Sequence, residues 1–122
     1  MATHLFVYGT LMRGESRHRH LERETFVADV RSAPGYRLFD AGDYPALVED
    51  AGGVSIVGEL WLVCDAALRE LDDVEGVDEG LYARRRVQLL SPHAGVVAEG
   101  YVYLEPVAGM AEIGRSWRDR SR

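Results

Sequence analysis

Short apolar runs, each cut off by glycine, proline or acidic residues, recur from one end of the chain to the other. Leu5-Phe6-Val7-Tyr8 stops at Gly9. Phe26 to Arg31 precedes the turn Pro34-Gly35, and Tyr36 to Phe39 follows it. Ala46-Leu47-Val48 and Val54 to Val63 flank Asp50-Ala51-Gly52-Gly53. Leu81 to Leu90 and Val96 to Leu104 flank Pro92-His93-Ala94-Gly95. Runs of this length with this punctuation predict strands, the last four joined in pairs by those turns. Only two segments read as helices. Ser16 to Glu24 is polar around Leu21, with Ser16 near its start. Asp65 suits the N-cap of a helix from about Ala66 to Asp73, which has Leu68 and Leu71 on one side and Gly76 at its end.

Helices so few do not alternate with the strands, so a doubly wound α/β sheet is excluded. The expectation is one α+β domain over residues 1–122. Its mostly antiparallel sheet is strongly curved or closed into a small mixed β-barrel, with short flanking helices. The segment after Ala111 is polar apart from Ile113 and Trp117, and Trp117 is placed to pin it to the body. A chain of 122 residues can bury roughly two-thirds of its unfolded surface, enough for a core and a pocket without staples.

Charge narrows the partners. The net charge of -6 repels phosphate backbones and anionic membranes. The basic clusters are Arg84-Arg85-Arg86 and the series Arg115, Arg118, Arg120, Arg122. Neither is interleaved with aromatics as a base-stacking surface would be, and both read as solvated or salt-bridged. No nucleic-acid or membrane partner is expected. The chain has no lysine, which removes Schiff-base, lysine-base and phosphate-loop lysine chemistry. The single cysteine, Cys64, admits no intramolecular disulfide, and its place after Leu60-Trp61-Leu62-Val63 predicts a buried thiol. No leader-like apolar segment and no apolar run of membrane-spanning length occurs, so the expectation is a soluble cytoplasmic protein.

Several motifs fail on inspection. Gly9-Thr10-Leu11-Met12-Arg13-Gly14 has the glycine spacing of a phosphate loop, but Glu15 stands where the phosphate-binding lysine belongs. What survives is a strand end followed by glycine, which is either an ordinary turn or a nest of backbone N–H groups for a carboxylate or oxyanion. The acidic segment from Asp72 to Gly80 resembles a calcium loop until Gly76 is aligned with the central glycine. Leu71 and Tyr82 then occupy ends that need carboxylates. His4, His18, His20 and His93, with Cys64, show no metal-ligand spacing, so no metal is expected. Within the acidic segment Asp78 and Glu79 read as solvated. Glu75 differs: it stands at a helix end between Val74 and Val77, with Leu71 one turn back. Apolar neighbours raise a carboxyl group's proton affinity, as acid/base work requires.

Taken together, these segments resemble a family. Phe6-Val7-Tyr8-Gly9-Thr10-Leu11 with Arg13-Gly14 resembles the opening signature of the γ-glutamylcyclotransferase-like (AIG2-like) proteins, which include the γ-glutamylamine cyclotransferases. Tyr44-Pro45-Ala46-Leu47-Val48 is similar to their middle, and Val57-Gly58-Glu59-Leu60-Trp61 to their Gly-Glu-aromatic strand. Leu71-Asp72-x-x-Glu75-Gly76 with Leu81-Tyr82-x-Arg84 is similar to the stretch bearing the catalytic glutamate, and Tyr101-Val102-Tyr103 to a late strand. The blocks keep the family's order and span nearly the whole chain.

The resemblance implies a small mixed barrel with a cavity and a cofactor-independent reaction on a small γ-glutamyl substrate. The substrate's α-amine attacks its own γ-carbonyl, giving 5-oxoproline and a free amine. Formally this is an amide carbon–nitrogen lyase or acyltransferase. Glu75 is then the acid/base. Tyr8, Gly9, Thr10 and Leu11 form the substrate cradle, holding either the α-carboxylate or the oxyanion. Tyr82 is a wall or hydrogen-bond donor, or else a surface tyrosine. A non-catalytic binding module on the same fold and a γ-glutamyl acyltransferase are the alternatives. The leaving amine and the oligomeric state are not legible.

Overall fold

The computed structural model describes residues 1–120. Their strands are β1 (Ala2–Val7), β2 (Thr25–Arg31), β3 (Tyr36–Asp40), β4 (Pro45–Glu49), β5 (Val57–Cys64), β6 (Tyr82–Val87), β7 (Ala98–Tyr103) and β8 (Ala111–Gly114). One α-helix, α1 (Asp65–Val74), and two 3-10 turns complete the described elements. The fold is α+β with antiparallel-rich sheets. A five-stranded sheet runs β2-β5-β1-β7-β6, and a three-stranded sheet runs β4-β3-β8. Among the described strands only the β1–β7 pair is parallel.

Closure into a barrel is not found among the described residues. The outer strands of the larger sheet approach at one end, where Ser32 and Leu89 form an isolated bridge. The smaller sheet lies against the larger along β4 and β7, and Tyr44, Tyr82 and Tyr103 pack edge to face or tilted at that seam.

Central strands β1 and β5 carry apolar side chains on both faces. Leu5, Phe6 and Val7 are buried, as are Leu60, Trp61 and Val63. Helix α1 covers part of this core with Leu68 and Leu71. Beyond Glu75, Gly76 takes a left-handed φ of 65°, a conformation cheap only without a Cβ. The helix therefore ends at Val74, with Glu75 as its C-cap.

Several expectations change. Ser16 to Glu24 forms only a 3-10 turn, His18–Leu21. Leu21 is its single buried residue, too little apolar surface to hold a full helix. Asp65 is the first residue of α1 rather than its cap. Cys64 stands at the cap in extended backbone, with no side-chain capping bond. Asp65 still favours the helix start through its charge. Cys64 is exposed, not buried, because strand alternation turns Val63 inward and the next side chain out.

Nor do β4 and β5 form a hairpin. After the turn at Asp50, Gly53 packs against the backbone of Tyr36, and Val54 exchanges hydrogen bonds with it. The chain then crosses to the other sheet. The polar segment after Ala111 contains strand β8, which pairs with β3, and Trp117 is buried as expected. Among the basic clusters, Arg84 pairs with Asp72 and Glu99, Arg85 with Glu49, and Arg118 and Arg120 with Glu15. Arg122 lies outside the described residues.

Candidate active site

Strand β1 ends at Val7, and the chain turns sharply over Tyr8 to Met12. The Met12 N–H donates to the Gly9 carbonyl at 3.1 Å, and the Arg17 N–H donates to the Thr10 carbonyl at 2.8 Å. The N–H groups of Gly9, Thr10 and Leu11 have no acceptor among the described residues. Three successive donors without partners at nearly buried positions can serve a carboxylate or an oxyanion. Gly9 is required here by crowding: a Cβ would strike the Pro45 ring.

Beneath the loop, Tyr8, Gly9, Thr10, Leu11, Glu75 and Tyr82 line one pocket, together with Val7, Pro45 and Tyr101. Its enclosed part holds about 20 Å³, room for one water, and about 260 Å³ when the open mouth is included. The structure thus brings the loop after β1, the end of α1 and strand β6 to one place.

Glu75 is 8% exposed. Its carboxylate receives no hydrogen bond among the described residues, so burial dominates and raises its pKa from 4.5 to about 7, opposed in part by the Arg17 charge. Around it stands a shell of phenols. Tyr8 donates to the Tyr101 carbonyl at 2.6 Å, Tyr82 donates to the Pro45 carbonyl, and Tyr101 donates to Asp72 at 2.7 Å. Burial, then the neighbouring Tyr82 phenol and the Glu75 charge, holds the Tyr8 hydroxyl well above its ordinary range, and burial followed by Glu75 does the same for Tyr82. They are neutral donors, and Glu75 is the pocket residue poised to exchange a proton near neutral pH. Asp72 is structural. Arg84 grips both its oxygens, at 3.0 and 3.1 Å, while the same carboxylate accepts from Tyr101.

One polar group at this end of the fold escaped the sequence reading. Glu59 of β5 is 1% exposed. It accepts from the Arg13 backbone N–H and Nε, both at 3.0 Å, and from Trp61 Nε1 at 3.1 Å. Burial pushes its pKa up, but these three donors outweigh burial and hold it below the usual range. The Arg13 guanidinium also lies 3.8 Å over the Phe26 ring and reaches Asp29. Glu59 therefore pins the far side of the loop whose near side lines the pocket. Tyr101 and Pro45 were also missed as lining residues. No cluster of three metal-ligating side chains occurs among the described residues, and no described helix is long and apolar enough to cross a membrane.

This arrangement has relatives. The family model for gamma-glutamyl cyclotransferase, AIG2-like proteins matches residues 5–119. The chain belongs to that family. Among proteins similar to this AIG2-like chain is the human gamma-glutamylaminecyclotransferase, 40% identical over 100 residues, which cover 74% of this chain and 65% of the human protein. Relatives from Vibrio cholerae and Arabidopsis thaliana are matched over 62% and 57% of their lengths. Among solved structures, an AIG2-like protein from Mus musculus superposes with a TM-score of 0.70 at 30% identity, covering 88% of this chain and 80% of that one. The uropathogenic Escherichia coli protein c4763 superposes with a TM-score of 0.79 at 28% identity, over 97% of this chain and 94% of that one.

Proposed function

We propose that this AIG2-like chain cyclises a γ-glutamyl amine or γ-glutamyl amino acid to 5-oxoproline, releasing the amine. The observation that carries the reading is a buried, unpaired Glu75 carboxyl, with a pKa of about 7, sharing one pocket with the unpaired N–H groups of Gly9 to Leu11. The nucleophile is the substrate's own α-nitrogen, so no serine, cysteine or lysine is required. The Glu75 carboxylate takes a proton from the α-ammonium. The freed lone pair attacks the γ-carbonyl carbon, forming the ring C–N bond and an oxyanion that the loop N–H groups or a tyrosine hydroxyl can face.

Collapse of that oxyanion breaks the bond to the leaving nitrogen, which receives the proton from Glu75. Over the cycle the α-ammonium loses two protons and the released amine gains two, so Glu75 returns to its carboxylate. Folding the glutamyl chain into attack geometry supplies much of the remaining rate. The substrate enters from the open side of the pocket. Such a reaction needs no cofactor and suits the cytoplasm, and its site falls in a single domain over residues 1–122.

Product analysis tests the proposal. Incubated with a panel of γ-glutamyl amines and γ-glutamyl amino acids, the protein is expected to release 5-oxoproline and free amine from at least one. Free glutamate, or a new γ-glutamyl amide when a second amine is added, would mean acyl transfer to water or amine. Tight binding without any product would mean a binding module.

A further inference from the structure

Arginines partly withdrawn from water in this protein are held by carboxylates. Arg37 bridges Asp50 and Glu112, Arg84 bridges Asp72 and Glu99, and Arg120 lies 3.8 Å from Glu15. Arg17 is also partly buried, yet its side chain makes no ion pair among the described residues. Its place is fixed by the bond from its backbone N–H to the Thr10 carbonyl, which straps residue 17 across the loop lining the Glu75 pocket. Its charge is felt by Glu75 and by Tyr82, both walls of that pocket. The guanidinium forms no ion pair with Glu75 among the described residues, and its charge only partly offsets the effect of burial there.

We propose that Arg17, strapped to the loop beside the Glu75 pocket, binds a carboxylate of the substrate. A guanidinium offers a planar, two-pronged set of donors that matches a carboxylate, and it gains most where water is already thinned. The inference rests on the cyclisation reading, because that reading supplies substrates with carboxylates. Two carboxylates qualify: the α-carboxylate of the glutamyl group, and a carboxylate on the leaving amine when the substrate is a γ-glutamyl amino acid. If the loop N–H groups take the first, Arg17 is left for the second, and the site selects γ-glutamyl amino acids over simple γ-glutamyl amines.

The test compares γ-glutamylglycine with γ-glutamylethylamine, similar in size but differing by one carboxylate. KM and kcat are measured for the wild type, Arg17→Gln and Arg17→Lys. Calorimetric Kd values are measured for the same compounds on Glu75→Gln, with and without Arg17→Gln. Circular dichroism confirms that each variant is folded. The expected result is a rise in KM and Kd of roughly 10- to 100-fold for Arg17→Gln, the scale of one lost charge-assisted bond. The effect on kcat is small, and Arg17→Lys restores part of the affinity. A rise confined to γ-glutamylglycine assigns Arg17 to the leaving amine's carboxylate, and a rise shared by both compounds assigns it to the α-carboxylate.

KM and Kd within twofold of wild type for both compounds overturn the proposal, as does a variant in which only the pH dependence of kcat moves. Absence of 5-oxoproline from the whole substrate panel, these two compounds included, defeats the cyclisation reading alone, since the calorimetry still decides Arg17. If neither compound binds in an Arg17-dependent way, this proposal fails whatever the product.

Discussion

Glu75→Gln is expected to abolish 5-oxoproline formation while leaving the fold intact. Glutamine keeps the shape and a hydrogen-bonding end but cannot take the α-ammonium's proton. Loss of a positioned general base costs roughly 10²–10⁴ in rate, or about 3–5 kcal/mol of barrier. The loss should fall on kcat, because the loop N–H groups and the tyrosine walls that bind substrate are untouched. Asp78→Asn is the control, since Asp78 belongs to the same acidic segment but is exposed. A Glu75→Gln variant that keeps more than about a tenth of wild-type kcat would remove Glu75 from the chemistry.

The same substitution should make the protein more stable above neutral pH. Unfolded, the Glu75 carboxyl releases its proton near 4.5, and folded it keeps the proton up to about 7. Between those values the folded state binds more protons than the unfolded state, so this group's contribution falls as pH rises. Above about pH 8 the whole penalty is in force, about 3 kcal/mol on the linkage scale of 1.36 kcal/mol per pH decade. Glu75→Gln removes the penalty. Its Tm should therefore exceed that of the wild type by roughly 10 °C near pH 8, and the gap should close near pH 4, where the wild-type carboxyl is protonated in both states. A gap that does not change with pH would show that Glu75 is hydrated and ordinary. A variant that gains stability as it loses activity is the pattern expected of a strained functional group.

Much of this site was legible in the sequence because its signals are local. Gly76 marks the helix end, and Val74 and Val77 beside Glu75 already give it an apolar setting in the chain, although Tyr8, Pro45 and Tyr101, which share its pocket, come from distant segments. The turn after β1 announces itself by glycine after an apolar run. What was not legible depends on pairing across the fold. Glu59 sits in a strand that is covered on both faces, so no alternation marks it. Its three donors come from Arg13, which is 46 residues away, and from Trp61, whose indole gives no sign in the sequence of seeking a carboxylate. Arg17 lies in the polar segment from Ser16 to Glu24, expected as a short helix around Leu21, and only the strap to Thr10 ties it to the pocket loop. The supposed hairpin of β4 and β5 failed for a similar reason. Its turn residues are genuine, but the close packing of Gly53 on Tyr36 sends the chain to a second sheet.

The pH dependence of kcat/KM for wild-type turnover tests the central claim most directly, because it reports the ionisation of the free enzyme's base. With Glu75 as that base, kcat/KM on any substrate the protein cyclises should rise through an acid limb centred near the carboxyl's value of about 7 and level off above it. An acid limb centred near 4.5, the ordinary value for a glutamate, or no acid limb down to the pH of unfolding, would contradict the account.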